Sequence, residues 1–446
     1  MIPLAFGAGS AAMRVLLQRA PRSIAVDLAQ PLPVVTAWHA FGSAAFAILA
    51  ITIALATLGL VLAAARFARE AARRDALLVV GIAALALLAA GSWPVVFSSD
   101  VYAYAAYGAL ALAGHDPYAA LASSVSGPFV EAARWQWSGP FPRCVYGPLF
   151  VALARGEVAL FGADGVAATL TALRVSAGAA FLGSILLLDS ALVERVSAAS
   201  RRLALCAYGL NPVALWTVAE GHNDAFVMLA VTAGAAAAAR GARFAGPLLA
   251  AFAPVLKAPG LLLTAVAACG AVAFRIPERG RILAGLGLGT VLATGIALPP
   301  LLPALGALGK HGRYAPQVSA QGLLGLGPAL VLAALAAGYG LLSLRGRRRS
   351  GFAWLGIGVL LALPNPYPWY APWLVPLALA AGAEASGVAL WAATISAVVR
   401  YLPDAAGDLD AGTARLAALV AALPLLWAVA GARRLAFARK KVIPQP

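Results

Sequence analysis

Apolar stretches long enough to cross a bilayer recur along the whole 446-residue chain, and this constrains the fold more than any motif does. Inside hydrocarbon a backbone must satisfy its own N–H and C=O groups, so each stretch is expected to be a helix. Residues 40–65 and 76–97 are the first two. Others read at 169–193, 203–219, 223–239, 282–304, 323–344, 351–363, 369–381, 386–402 and 416–432. A hairpin over 244–274 turns at Lys257-Ala258-Pro259-Gly260. With 62% hydrophobic and 11% charged residues, the chain is too apolar for a soluble domain of this length. The expected fold class is all-α, a polytopic transmembrane helical protein of about 11–14 spans.

A formal net charge of +16 could indicate a nucleic-acid partner, but the basic residues fall in short clusters between apolar segments. Arg66, Arg69, Arg73 and Arg74 form one cluster, Arg201 and Arg202 another. Arg345 with Arg347, Arg348 and Arg349 form a third, and residues 433–441 a fourth. Such clusters mark cytoplasmic loops. The three cysteines, Cys144, Cys206 and Cys269, show no metal or disulfide spacing. Residues 1–37 read as an N-terminal surface segment and 38–437 as one integral-membrane domain. Within that domain 98–161 forms an outer loop with juxtamembrane helices, because Arg155 and Glu157 interrupt 146–161. Residues 438–446 read as a basic cytoplasmic tail.

This threading sends the conspicuous polar groups to the outer face. They are Asp100, placed where an apolar segment ends, the Glu220-Gly221-His222-Asn223-Asp224 turn, Lys257, the Lys310–Tyr314 loop and the Asn365–Tyr370 run. Ionisable residues at such positions cost free energy unless paired or used. Carboxylates, a histidine and cations together are the inventory for activating a hydroxyl while holding a phosphate. A structural reading stands beside each: Asp100 and Asn223 or Asp224 as helix caps, Asp116 before Pro117 as a turn, and Lys257 as a snorkelling cation. The four polar side chains of the 220–224 turn exceed what capping explains, and His222 is expected to titrate near neutrality. A lipid-linked sugar transporter or flippase is the rival class. It would place ionisable groups near mid-bilayer in repeat-related broken helices, and no internal repeat is evident.

The run Ser99-Asp100-Val101-Tyr102-Ala103-Tyr104 through Tyr107-Gly108, followed by Gly114-His115-Asp116-Pro117-Tyr118, resembles the first outer loop of bacterial polyprenyl-phosphate-dependent mannosyltransferases of the GT-C superfamily. Cys144-Val145-Tyr146-Gly147-Pro148-Leu149 is similar to their second block. Leu210-Asn211-Pro212, Gly221-His222-Asn223-Asp224, Leu256-Lys257 with Pro259, and Pro368-Trp369-Tyr370 follow in the family's order. His115-Asp116-Pro117-Tyr118 departs from the family's common Asn-Pro-Tyr.

The resemblance implies a GT-C-like glycosyltransferase of the EC 2.4 class in the bacterial cytoplasmic membrane, with its site facing outward. It would move a hexose, with mannose the expected sugar, from a polyprenyl-phosphate donor to a lipid or glycan acceptor with inversion. An acceptor hydroxyl is a poor nucleophile, so Asp100 is the candidate general base. The resemblance implies the same assignment. The donor phosphate leaves as a stable anion and needs cations rather than an acid. Arg143, Lys257, Lys310, His311 and Arg313 are the candidates for it. Asp116, Tyr118, Glu220, His222, Asn223, Asp224 and Tyr370 are the candidates for substrate binding. No metal site is assigned, since no tight set of hard oxygen ligands is visible, and no cofactor is certain. A divalent cation at Asp116 and Asp100 stays open as an alternative. The expected partners are the lipid-linked donor, the acceptor and membrane lipids, with no nucleic acid.

Overall fold

The computed structural model describes residues 1–19, 34–69, 75–119, 125–137, 139, 141–311, 317–407 and 410–442, with side chains at 34–37, 68–69, 303–311 and 432–442 left aside. Among the described residues the chain is helical with no strand. Six helices are long and apolar enough to cross a membrane: Trp38–Phe67, Val166–Leu192, Arg279–Leu302, Leu326–Arg345, Ala385–Ala405 and Ala411–Gly431. Six shorter apolar helices of 10–17 residues accompany them. The protein is therefore all-α and polytopic. Its chain forms two compact units, residues 1–265 with 278–313, and residues 266–277 with 314–446.

The first unit begins with α1 (Ile2–Gln18), which lies against α2 (Val34–Arg69) and α3 (Asp75–Gly91). It buries Ile2, Phe6 and Met13 and leaves Leu4 and Val15 exposed. The second apolar stretch was expected to be helical through Phe97, but α3 stops at Gly91. Pro94 explains the early stop, because proline lacks an N–H and disfavours helical backbone in the residue before it. An irregular stretch then leads to α4 (Asp100–Leu112), α5 (Pro128–Gln136) and α6 (Pro148–Phe161), the last two each opening on a proline at the first helical position.

After α7 (Val166–Leu192), the stretch 203–219 was expected as one span and is two helices, α8 (Ala198–Gly209) and α9 (Pro212–Ala219). Asn211 makes the break. Its side-chain oxygen accepts the N–H groups of Val213 at 3.1 Å and Ala214 at 3.0 Å, and Pro212 occupies the first helical position. α10 (Asp224–Ala239), α11 (Ala245–Ala250), α12 (Pro259–Ala273) and α13 (Arg279–His311) follow, with the reversal expected at Lys257–Gly260 lying just before and at the start of α12.

The second unit carries α14 (Ala320–Leu324), α15 (Leu326–Arg345), α16 (Ser350–Ala362), α17 (Ala371–Ala381), α18 (Ala385–Ser396), α19 (Leu402–Ala405) and α20 (Ala411–Val442). Neighbours in sequence pack together, α15 on α16, α16 on α17 and α17 on α18, and α18 returns onto α20.

Candidate functional site

Asp100 and Asp224 each occupy the first position of a helix, α4 and α10, where unsatisfied backbone N–H groups and the helix dipole favour an anion. The helix ends that precede these starts, of α3 and α9, are tied together by one side chain that sequence reasoning did not single out. Arg174, in the apolar α7, donates from Nε to the Ala219 carbonyl at 2.5 Å. From Nη2 it donates to the carbonyls of Gly91 at 2.9 Å and Trp93 at 3.1 Å. A cation at the carbonyl ends of α3 and α9 satisfies acceptors those helices cannot satisfy themselves. The signal was available, since an arginine inside an apolar span needs a purpose.

The turn between α9 and α10 is buried throughout: Glu220, His222, Asn223 and Asp224 are 2%, 1%, 1% and 0% exposed. Gly221 adopts φ +90° there, and a Cβ on it would press on Val101 and Arg174. Glu220 accepts the Phe97 N–H at 3.4 Å. Burial pushes its acid up to about 8, against the pull of Arg174, so it is largely protonated at neutral pH.

Asp100 keeps 16% of its side-chain surface exposed, so it can reach a substrate. Its Oδ2 lies 3.6 Å from His222 Nδ1 and 3.5 Å from the Tyr104 hydroxyl, and that hydroxyl is also 3.3 Å from Asn223 Oδ1. Burial raises the Asp100 acid to about 6; Lys257 opposes the rise, Asp224 adds to it, and hydrogen bonds from Tyr104 and Tyr146 lower it. His222 does not titrate near neutrality as its residue type suggested. Burial and then the Lys257 charge hold it well below its usual range, so a neutral imidazole faces the carboxylate. At 3.6 Å that contact is longer than a hydrogen bond.

Lys257 donates to Asp224 Oδ2 at 2.6 Å and lies 5.7 Å from the centre of the Tyr146 ring. Its side chain is 11% exposed, so the ammonium stays within reach of a ligand. The backbone of residues 146–148 lies directly on that of 255–257. Gly147 N–H donates to the Leu256 carbonyl at 3.0 Å, and a Cβ on Gly147 would run into the Val255 carbonyl. Tyr146 packs edge-on against Tyr104 at 4.9 Å. Two fasteners hold this segment: the Tyr118 hydroxyl donates to the Tyr146 carbonyl at 2.9 Å, and Cys144 N–H to the Pro117 carbonyl at 3.0 Å.

Asp100, Glu220, His222, Asn223, Asp224 and Lys257 are thus brought together, joined by Tyr104, Tyr146 and Arg174. Asp116 is exposed, and its Oδ1 takes the Tyr118 N–H at 2.9 Å, which is the turn geometry of an Asp before a proline. Tyr118 is buried as a fastener, and Arg143 is half-buried next to Cys144. Tyr370 belongs to the second unit, in an aromatic group 6.0 Å from Tyr367 and 5.2 Å from Trp373. The expected 310–314 loop differs at its start, since α13 continues through His311. The side chains of Lys310 and His311, and Arg313 entirely, lie outside the described residues. Among the described residues no group of three or more His, Cys, Asp or Glu side chains gathers as a metal site.

The all-α polytopic frame is that of a GT-C-like membrane protein. Residues 6–273, more than half of the chain and including the whole polar cluster, match the alpha-(1->6)-mannopyranosyltransferase N-terminal domain family, and the chain belongs to that family. It is also 29% identical over 325 residues to alpha-(1->6)-mannopyranosyltransferase A of Mycobacterium tuberculosis H37Rv. That alignment covers 64% of this chain, and the chain spans 61% of the relative's length. No solved structure matches the chain.

Proposed function

We propose that this protein transfers a hexose, mannose by family, from a polyprenyl-phosphate donor to a lipid or glycan acceptor, with inversion, on the outer side of the bacterial cytoplasmic membrane. The observation that carries the reading is the arrangement around Asp100. This partly exposed carboxylate has a pKa near 6, so it is ionised yet basic at neutral pH, and it lies close to a paired, reachable lysine. Asp100 takes the proton of the acceptor hydroxyl as that oxygen bonds to the anomeric carbon and the bond from that carbon to the phosphate oxygen breaks. The phosphate departs as an anion. An ammonium has three donors, so Lys257 can hold Asp224 with one and meet the phosphate with the others. His222, neutral and buried, fixes the floor beneath Asp100, and Asn223 shares the Tyr104 hydroxyl with it.

The outward orientation rests on the basic clusters, which the positive-inside rule assigns to the cytoplasm. The test uses the purified full chain with radiolabelled polyprenyl-phosphate mannose and a bacterial lipid extract. A new labelled glycolipid or glycan supports the reading. Label crossing a proteoliposome without a new product would instead identify a flippase, and the absence of both a product and label crossing would overturn the transferase reading.

A further inference from the structure

Within the second unit, α14 to α18 and α20 surround a cavity of about 700 Å³ whose wall is almost wholly hydrocarbon, with Leu323, Leu335, Ile357, Leu374 and Leu425 among its lining. Protein interiors hold few voids larger than a water molecule, and an apolar void forfeits dispersion contacts along its whole wall. This one is not sealed. Leu335 and Leu426, both on its wall, are 64% and 57% exposed, so it opens toward the surroundings of a span-length helix. In a bilayer those surroundings are lipid chains.

Among the described residues a single charged side chain reaches the wall, and it tells what kind of lipid fits. Arg400 donates from Nη1 to Asp404 Oδ2 at 3.3 Å, and its guanidinium carbon lies 5.5 Å from the centre of the Tyr367 ring. Its Nε–H is buried and has no hydrogen-bond partner among the described residues. A buried guanidinium donor of this kind is matched by a phosphate oxygen. Tyr367 stacks on Trp369 at 4.4 Å, and such aromatic groups sit at head-group depth in membranes. Asp404, one helical turn beyond Arg400, keeps 23% of its side chain exposed. The site thus presents a cation and an anion side by side with no net charge, at the polar edge of an apolar cavity.

We infer that this cavity is a binding site for one zwitterionic phospholipid with a primary ammonium, of the phosphatidylethanolamine class. Its phosphate meets the Arg400 guanidinium at the cavity wall, its ammonium donates to Asp404, and acyl chain fills the space between α15, α16 and α20. A phosphatidylglycerol head group would satisfy Arg400 but bring an uncompensated negative charge to Asp404. A phosphatidylcholine head group would match the charges but offer Asp404 no N–H donor. The inference is independent of the transferase reading.

The test is native mass spectrometry of the purified full chain, delipidated in detergent and offered equimolar phosphatidylethanolamine, phosphatidylglycerol and phosphatidylcholine with identical acyl chains. One phosphatidylethanolamine per chain is expected, preferred about tenfold over each competitor, the scale of one charge-assisted hydrogen bond. Arg400→Gln should lower retention of every phospholipid about tenfold, whereas Asp404→Asn should keep binding and erase the head-group preference. Ala336→Phe, which fills the cavity while leaving Arg400 and Asp404 intact, should abolish retention. Equal retention of the three lipids by the natural chain, no retention at all, or normal retention by Ala336→Phe overturns the inference. Displacement of phosphatidylethanolamine by a polyprenyl phosphate at equal concentration overturns the assigned occupant. If Arg400→Gln or Asp404→Asn fails to fold, Ala336→Phe and the head-group series on the natural chain decide the question.

Discussion

In the first unit a single turn buries Glu220, His222, Asn223 and Asp224, with Lys257 and Arg174 supplying positive charge, whereas among the described residues of the second the most deeply buried polar side chains are neutral, Ser319, Ser343, Ser350, Asn365, Ser386 and Thr394, and the Arg400–Asp404 pair stays partly exposed. The rest of the second unit's core is alanine and branched aliphatics such as Ala353, Ile357, Leu374, Val375 and Leu390. Both units meet the same solvent problem. A neutral hydroxyl can return its proton to its own helix, as Thr394 does to the Trp391 carbonyl at 2.6 Å, at little cost. A buried ion cannot, and breaking its pairing leaves several kcal/mol uncompensated. The densest group of buried charge is therefore where chemistry is expected, while the described core of the other unit is constrained mainly by volume.

The sharpest way to break this contrast is a substitution that changes charge and not shape. Asp100→Asn should lower sugar transfer by about 10²–10⁴-fold, the usual contribution of a positioned base, with helix content by circular dichroism unchanged. In the natural chain, transfer should fall as pH is lowered through about 6, because the base must be unprotonated and burial has raised Asp100 to that value. A flat profile between pH 5 and 8 would remove Asp100 from that role.

Lys257→Ala tests the pair beneath the site. It strands the fully buried Asp224 carboxylate, so a loss of about 3–5 kcal/mol of stability is expected. Adding Asp224→Asn to it should restore most of the stability, measured as thermal midpoint in detergent, but not the transfer. Recovery of both would show the lysine to be structural only.

A smaller effect is expected from Gly147→Ala. The added methyl meets the Val255 carbonyl, so segments 146–148 and 255–257 must separate, at about 1–3 kcal/mol. Tyr146 and Lys257 move with them, and the Michaelis constant for the lipid donor should rise.

The smallest effect belongs to the second unit. Leu390→Met keeps volume in a fully buried position and should cost under about 1.5 kcal/mol, with rate and pH limb unchanged. If it lowered transfer as Lys257→Ala is expected to, the division between a chemical and a volume-constrained unit would fail.

Much of this was legible in the chain itself. Membrane-length apolar stretches dictate an all-α polytopic fold, because only helices satisfy their backbone locally in hydrocarbon. Asp100, the 220–224 turn and Lys257 stood out because charge there is expensive, and the ordered blocks around them carried the family. Where stretches break was less legible. The helices end at Gly91 and Gly209 because of Pro94 and the Asn211-Pro212 cap, local signals outweighed in a hydropathy reading by the apolar residues around them. Tertiary structure alone decided which polar groups meet. Arg174 looked like one charge in a long span, yet it ties the ends of two helices; Tyr146 and Tyr104 stood only as members of the family blocks, yet they line the carboxylate. The charge state of His222 was equally hidden, since a pKa is set by burial and by neighbours distant in sequence, here Lys257. Periodicity and cost are properties of a segment and can be read from it; pairing and desolvation are properties of what folds against it.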